Sequence, residues 1–312
     1  MENFILSFNV VLPLFLTMSL GYGLKRLKMF DASGLEVINK ICFRVFLPLL
    51  LFNNIYKTDL QSAFNLKLIS FATLGVIASF ILLMLIIPII EKDNPKRGVM
   101  IQGIFRSNFI IFGLPIVLSL FGEAHSGVPS LVSAVVVPLF NALSIVALEM
   151  YRGGKVSTKK ILKGVVTNPL IIGSVLGILL LVLNIKLPSS IEKTISDVSK
   201  IATPLSLIVL GGYFTFSTVK GHLKQLLVTL IGRLILLPCL FIPLSIAMGF
   251  RDVELVTLIV LFGAPTAVSS FTMAQQMNGD SELAGHVVVF GSALAVITIF
   301  VWIFVTKQLG YI

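Results

Sequence analysis

The chain has 312 residues, of which 56% are hydrophobic and only 12% are charged, and its mean hydropathy is +1.03. A soluble domain of this length cannot bury so much apolar surface, and charged residues average about 25% in soluble domains. The formal net charge of +10 comes from basic residues in short loops between apolar runs, where they orient the chain and contact lipid head groups. An all-α polytopic membrane protein is therefore predicted, and nucleic acid is not expected as a partner.

Ten apolar segments follow one another along the chain, each close to the ~20 residues that a helix needs to cross a bilayer. They are predicted at residues 4–24, 35–55, 66–90, 99–122, 127–150, 162–184, 191–214, 224–249, 253–276 and 283–306. No basic residue precedes the first segment, so we expect it to remain as a span and not to be removed as a signal peptide.

Basic residues in the loops predict how the segments are oriented. The loops after the first, third, fifth, seventh and ninth segments hold thirteen Lys and Arg residues, whereas the opposite side holds seven. Because cytoplasmic loops carry the excess of positive charge, both termini are predicted to lie outside the plasma membrane. The Lys-rich link at 152–163 is then cytoplasmic.

The two halves of the chain repeat a pattern of prolines, glycines and cations. The matched pairs are offset by 156 residues and are Pro13 with Pro169, Pro48 with Pro204, Gly21 with Gly177 and Arg44 with Lys200. In addition, "FGLP" at 112–115 recurs as "FGAP" at 262–265. Two five-helix repeats are predicted, 1–151 and 162–312, joined by a linker at 152–161. Since five is an odd number, the two copies are expected to be inverted in the membrane.

The FGxP steps predict two broken helices, the fourth and the ninth, that cross near the middle of the bilayer. Proline removes a backbone donor and clashes with the preceding turn, so each helix is expected to open at its Gly-x-Pro step, Gly113 with Pro115 and Gly263 with Pro265. Inverted repeats with paired interrupted helices are typical of secondary transporters. The freed N–H groups at each half-helix start would carry partial positive charge, which suits a carboxylate.

Polar side chains accompany both steps. Arg106, Ser107 and Asn108 precede the first, while Thr266, Ser269 and Ser270 follow the second. With Arg44 and Arg233, these residues predict a polar, cation-rich vestibule that reaches the crossing from the cytoplasm.

Several of these polar residues have a second interpretation. Arg44, Arg106 and Arg233 could attract an anionic substrate, but they could equally extend to the lipid head groups or pair with other groups of the protein. Asn108 and Asn141 fit ligand contacts, but also hydrogen bonds between helices. The Gly173–Gly177 step predicts a helix-packing face.

The sequence offers no pattern for a cofactor, a metal site or a catalytic centre. Cys42 and Cys239 both lie in apolar runs, and the three histidines have no metal-binding spacing. No Asp or Glu lies deep in a predicted span, so coupling to protons or sodium would fall to backbone carbonyls, Asp197, His286 or the substrate's own proton. An enzyme or receptor is therefore disfavoured.

Five stretches of the sequence together resemble the auxin efflux carrier family, in the bacterial branch of malate and malonate permeases. They are "FLPLLLFNNIY" at 46–56, "RSNFIIFGLPI" at 106–116, "TNPLIIGSVLG" at 167–177, "TPLSLIVLGGYF" at 203–214 and "FGAPTAVSSF" at 262–271. The resemblance implies a scaffold domain of helices 1, 2, 6 and 7, a transport domain of the other helices, elevator-like movement, and Asn108 near a substrate carboxylate. The short link at 152–163 departs from the long central loop of plant members, which makes mono- or dicarboxylates a more suitable substrate class than auxin.

The predicted function is a secondary carrier of small organic anions such as malate or malonate. The alternative is a cation-coupled exchanger or a sodium/bile-acid-type symporter of similar architecture. The expected partners are the organic anion, the lipid bilayer, a coupling proton or sodium ion, and a second copy of the chain in a homodimer.

Overall fold

The computed structural model describes residues 2–58, 65–152 and 158–312. Regular structure in these residues is helical, apart from one isolated bridge between Ser107 and Thr266. The first half contains α1 Glu2–Arg26, α2 Ala32–Ile41, α3 Leu47–Tyr56, α4 Leu66–Ile90, α5 Asn94–Phe105, α6 Phe109–Phe121 and α7 Gly127–Met150. The second half contains α8 Thr158–Val166, α9 Pro169–Val182, α10 Ser189–Ser199, α11 Ala202–Tyr213, α12 Leu223–Ile231, α13 Leu237–Ala247, α14 Asp252–Gly263, α15 Ser269–Gln276 and α16 Ser281–Gln308.

Many of the helices have the length and composition of membrane spans. Five stretches in the described residues are long and apolar enough to cross a bilayer, namely Leu66–Ile90, Glu123–Met150, Ser189–Tyr213, Phe216–Ala247 and Ser281–Gln308. The α4 helix illustrates the environment, because apolar side chains cover its whole circumference: Phe71 and Val76 are buried while Leu85 and Ile89 are exposed. A helix that is apolar all round needs a lipid or protein partner on every side. The chain is thus a multi-pass membrane protein.

Close helix packing depends on glycines at two places. A Cβ on Gly21 of α1 would lie 2.0 Å from the carbonyl oxygen of Ile208 in α11, and one on Gly177 of α9 would lie 3.0 Å from that of Phe52 in α3. A Cβ on Gly173 would likewise meet the carbonyl oxygen of Pro48 at 2.5 Å. The backbones approach so closely that no side chain fits. The Gly173–Gly177 packing face predicted from the sequence is confirmed.

These two contacts are related by a constant offset. Gly177 lies 156 positions after Gly21, and Ile208 lies 156 positions after Phe52. The α1–α11 contact and the α9–α3 contact therefore join equivalent positions of the two halves, with the roles of the halves exchanged.

The fourth predicted span opens at a different place from the one expected. Gly113 and Pro115 both lie inside α6, and the helical interruption instead covers Arg106–Asn108. The prediction that the helix opens at Pro115 is wrong because a proline in the interior forfeits only one hydrogen bond, which a kinked helix tolerates. The ninth span is interrupted as expected, since α14 ends at Gly263 and α15 begins at Ser269, on either side of Pro265.

Two spans contain a short π-helical turn, Cys42–Phe46 between α2 and α3 and Gly232–Leu236 between α12 and α13. Each turn carries one arginine, Arg44 or Arg233, and each is closely followed by a proline. The predicted linker at 152–161 includes residues 153–157, which lie outside the described ranges.

Candidate functional site

The two interrupted helices meet at their non-helical segments. The backbone N–H of Asn108 donates to the carbonyl oxygen of Pro265 (2.8 Å), and Ser107 pairs with Thr266 in an antiparallel bridge. The Thr266 hydroxyl donates to the carbonyl oxygen of Gly103 (2.6 Å). Lipid offers no hydrogen bonds to backbone groups, so an interruption is tolerated where the freed groups find partners within the protein or at a cavity. Each interruption supplies partners for the other.

Arg233 binds the carbonyl ends of both interrupted helices. Its guanidinium donates to the carbonyl oxygens of Ile104 (3.2 Å) and Phe105 (3.3 Å) at the end of α5, and to those of Leu261 (2.9 Å) and Ala264 at the end of α14. The side chain is 1% exposed. Because helix C-terminal carbonyls carry partial negative charge, a cation at this position stabilises both ends. Of the interpretations offered by the sequence, the geometry of Arg233 is that of structural pairing.

Arg106 lies at the interruption itself and is only 4% exposed. Its Nη2 donates to Oδ1 of Asn141 (2.7 Å) and to Oγ of Ser269 (2.7 Å), and its Nη1 contacts the sulfur of Met273. These partners are neutral. Asn141 and Ser269 lie 35 and 163 positions from Arg106 in the chain, yet both bind its guanidinium. In the described part of the chain, no carboxylate lies within ion-pair distance of Arg106.

Asn108 occupies the N-terminal cap position of α6 without capping it through its side chain. Its amide nitrogen, Nδ2, is buried and has no hydrogen-bond partner. A buried amide donor without a partner is costly unless something else accepts its hydrogen bond. Asn108 therefore offers a free donor next to Arg106.

A cavity of about 70 Å³ lies beside these residues. Its polar lining consists of Arg106, Ser107, Asn108, Asn141, Thr203, Ser206 and Ser269, and its apolar lining includes Leu47, Leu50, Leu51, Phe109, Val137 and Leu170. None of the lining residues is an Asp or a Glu. One water needs roughly 10–15 Å³ on this measure, so the cavity has room for a small polar group.

The sequence-predicted site residues divide into three groups. Arg106, Ser107, Asn108, Asn141 and Ser269 line the cavity. Pro265 and Thr266 shape the neighbouring backbone, and Gly263 ends α14.

The remaining predicted residues lie elsewhere. Arg44 is exposed on its π-helical turn, Pro115 is exposed on α6, and Gly113 is buried against the ring of Phe109. The Ser270 hydroxyl is buried without a partner, but Ser270 does not line the cavity.

Sequence reasoning missed the wall formed by α3 and α11. Thr203 and Ser206 are spaced three residues apart, which puts them on one face of α11, and this spacing in "TPLSLIVLGGYF" was a usable signal. The leucines of α3 had no such signal, since leucine is the expected residue in any span.

Comparison with known proteins identifies the family. Residues 6–303 match the family described as membrane transport protein, which is the family of the auxin efflux carriers. The chain belongs to this family. The membrane transport protein family thus accounts for nearly the whole chain, and the resemblance stated from the sequence is confirmed.

Relatives within this membrane transport protein family are distant but collinear. An uncharacterised transporter of Methanocaldococcus jannaschii is 24% identical over 307 residues, covering 94% of this chain and 97% of the relative. A proposed malonate transporter of Rhizobium meliloti is 23% identical, covering 93% of both chains. Auxin efflux carrier component 8 of Arabidopsis thaliana is 20% identical, covering 95% of this chain and 96% of its own. The chain is therefore a membrane transporter.

Proposed function

We propose that this protein is a secondary carrier that moves small organic anions, mono- or dicarboxylates such as malate or malonate, by alternating access through the cavity at Arg106. The observation that carries the proposal is the buried guanidinium of Arg106, whose hydrogen-bond partners are all neutral.

The electrostatics of the cavity favour an anion. A buried charge is expensive unless it is paired, and arginines inside membrane proteins usually face a partner or a cavity. The unpartnered Asn108 amide adds a second donor, and the first N–H groups of α6 and α15 add partial positive charge. A carboxylate would accept from these donors and neutralise Arg106. A metal cation would instead face hydrogen-bond donors, and no Asp or Glu lines the cavity to bind it.

The cavity's size and its apolar wall favour a small substrate. The Arg106 guanidinium can bind one carboxylate in bidentate fashion once the carboxylate replaces one of the two neutral partners of Nη2, while Leu47, Leu50 and Leu51 face the rest of the molecule. The malonate-transporting function proposed for the Rhizobium relative agrees with this class. A large bile-acid-type substrate fits poorly in a cavity of about 70 Å³.

Alternating access requires two bodies that can move against each other, and we take these to be a scaffold domain of helices 1, 2, 6 and 7 and a transport domain of the other helices, each drawn from both repeats. We take the chain to form ten membrane spans in two inverted five-helix repeats, residues 1–151 and 162–312, with the fourth and ninth spans crossing at their interruptions. The exchanged contacts of Gly21 with Ile208 and of Gly177 with Phe52 support the repeat. The paired segments at Ser107 and Thr266 support the crossing. Both termini are taken to lie outside the plasma membrane.

The proposal is tested with the purified protein in proteoliposomes loaded with labelled malonate, malate or lactate. Saturable carboxylate flux is expected for the wild type. In Arg106→Gln, loss of a charge-assisted hydrogen bond worth about 1.5–3 kcal/mol should weaken the apparent affinity about 10- to 100-fold. Arg152→Gln is the matched control, because Arg152 is an exposed cation that pairs with Glu149 at the surface.

Two outcomes would contradict the proposal. Unchanged carboxylate affinity in correctly folded Arg106→Gln protein would remove Arg106 from the site. Flux of sodium or protons without any organic solute would support the cation-coupled exchanger instead.

A further inference from the structure

Two of the three histidines lie together at the end of the bundle where the loop between α11 and α12 meets the start of α16. His222 closes the 3₁₀ segment Phe216–His222, and His286 lies in the second turn of α16. Their ring centroids are 5.5 Å apart. The side chain of His222 is 13% exposed and His286 is 1% exposed, so both are largely withdrawn from solvent.

The hydrogen bonds of His222 fix its protonation. Its Nδ1 is 3.1 Å from the carbonyl oxygen of Thr218, and its Nε2 is 3.1 Å from Oδ2 of Asp280. A carbonyl oxygen can only accept, and so can an ionised carboxylate. Both ring nitrogens must therefore carry hydrogen, or Asp280 must carry the proton itself. In either case the pair holds one proton more than a neutral imidazole beside a carboxylate.

Asp280 has a second role that favours its ionised form. Its Oδ1 accepts the backbone N–H of Leu283 (2.9 Å) as the N-terminal cap of α16. A carboxylate at this position is stabilised by the helix dipole. An imidazolium on His222 beside an ionised Asp280 therefore satisfies all of these hydrogen bonds.

The contacts of His286 favour its neutral form beside such an imidazolium. Its Nε2 is 3.3 Å from both the carbonyl oxygen of Thr215 and Oγ1 of Thr218. The Thr218 hydroxyl already donates to the carbonyl oxygen of Thr215 (3.0 Å), so a hydrogen on Nε2 fits both contacts. Its Nδ1 is buried without a partner, and a second positive charge 5.5 Å from His222 would be repelled. His286 lines a cavity of about 200 Å³ together with Tyr213, Thr218 and Glu282, and this cavity gives water a place beside His286.

The other charged groups near the pair are few. Glu282 comes from α16 and Tyr213 from the end of α11, both at the cavity. Lys220, on the 3₁₀ segment itself, is exposed. The start of α5 contributes the carbonyl oxygen of Pro95, which accepts the N–H of Asp280, while its neighbours Asp93 and Lys96 pair with each other.

We propose that His222 and Asp280 form a binding site for one dissociable proton, and that release of this proton changes the rate of carboxylate transport. On release, the proton leaves Nε2 of His222 for solvent water, which reaches the pair because the side chains of His222 and Asp280 are 13% and 16% exposed. The electron pair stays on the ring, and the net charge of the pair falls from zero to −1. The Nε2 lone pair then faces the Asp280 carboxylate, and the contact opens. Because the Phe216–His222 segment joins α11 to α12, loss of the contact between His222 and Asp280 changes the connection between these two helices. The transport part of this proposal rests on the proposed function.

The proton itself is measured in the wild-type protein by ¹⁵N-histidine NMR in detergent, where only three histidines contribute and single His→Gln variants assign them. At neutral pH we expect His222 with both nitrogens protonated and His286 as the neutral Nε2–H form. In Asp280→Asn, whose amide can both cap α16 and donate to Nε2, His222 should become neutral. A neutral His222 in the wild type overturns the site.

The link to transport is measured as carboxylate flux in proteoliposomes between about pH 6 and pH 8.5, where a single proton can change the rate by up to about tenfold per pH unit. The wild type should show this dependence, and His222→Gln and Asp280→Asn should lose it. His125→Gln is the control and should keep the wild-type profile, since His125 is exposed and its hydrogen bond within the described residues is to the carbonyl oxygen of Phe121, in its own turn of chain. Equal profiles in all variants overturn the link. Absence of carboxylate flux at every pH overturns the proposed function and the link together, while the NMR result still decides the proton site.

Discussion

Replacing Arg233 by methionine tests whether one side chain holds the two interrupted helices together. The guanidinium binds four carbonyl oxygens, two at the end of α5 and two at the end of α14, and all four are enclosed by protein. Methionine has a similar volume but no donor, so each of these carbonyls loses its cationic partner.

The magnitude follows from those four bonds. At a net value of about 1 kcal/mol for each, their loss amounts to about 4 kcal/mol. Relief of the arginine's desolvation offsets part of this, since apolar replacement of a buried ion is sometimes neutral. We expect a net destabilisation of about 2–4 kcal/mol, because the carbonyls stay buried after the substitution.

The assay is thermal unfolding of the purified protein in detergent, combined with hydrogen exchange of residues 103–109 and 260–268. Arg233→Met should unfold earlier and exchange faster in both segments. Arg44→Met is the matched control, because Arg44 also lies on a π-helical turn but is exposed, and it should change stability by less than about 0.5 kcal/mol. Equal stability and equal exchange in Arg233→Met and the wild type would refute the conclusion that Arg233 holds the two interrupted helices together.

Three further outcomes are expected. Gly21→Ala should disrupt the packing of α1 on α11 and lower stability in the same unfolding assay, because its Cβ would lie 2.0 Å from the carbonyl oxygen of Ile208. Gly23→Ala is the control and should be neutral or slightly stabilising, because a Cβ at Gly23 meets nothing within 4 Å. Burial raises the pKa of Glu91, but hydrogen bonds from the Asp93 and Lys92 backbone and the Gln225 amide outweigh it and hold that pKa below its ordinary value. The stabilisation from Glu91 is therefore complete above its unfolded-state pKa and is lost as the pH falls through the lower folded-state pKa, so the stability gap between wild type and Glu91→Gln should close in acid; a gap that persists there would contradict this. Asn108→Asp should abolish carboxylate flux while leaving the protein folded, because it puts an anion beside Arg106 and replaces the free donor; retained flux would exclude Asn108 from the site.

Much of the site could be anticipated because its residues lie close together in sequence. Arg106, Ser107 and Asn108 stand out as polar groups in an apolar run, and Ser269 follows the second FGxP step. What the sequence could not supply was the partner of each group. The hydrogen bond from Arg106 to Ser269 joins residues 163 positions apart, and it depends on the pairing of the two interruptions.

The position of the first interruption shows the limit of local signals. A Gly-x-Pro step marks both helices, yet only the one at Pro265 opens there, while Pro115 remains inside α6. Helix opening costs backbone hydrogen bonds, so it occurs where another segment can replace them. Pro265 and Thr266 offer that replacement to Ser107 and Asn108, whereas the turn around Pro115 meets no comparable backbone segment in the described residues.

The amino-acid sequence alone was enough to show that the chain crosses a membrane and that glycines bring certain helices together, since apolar runs and missing side chains act locally. Whether each arginine is exposed or buried was decided only by the tertiary structure. Arg44 and Arg233 lie on the same kind of π-helical turn ahead of a proline, yet one is exposed and the other binds four carbonyls. The physical reason is that burying a charge depends on the groups that surround it, and those groups are contributed by helices distant in the chain.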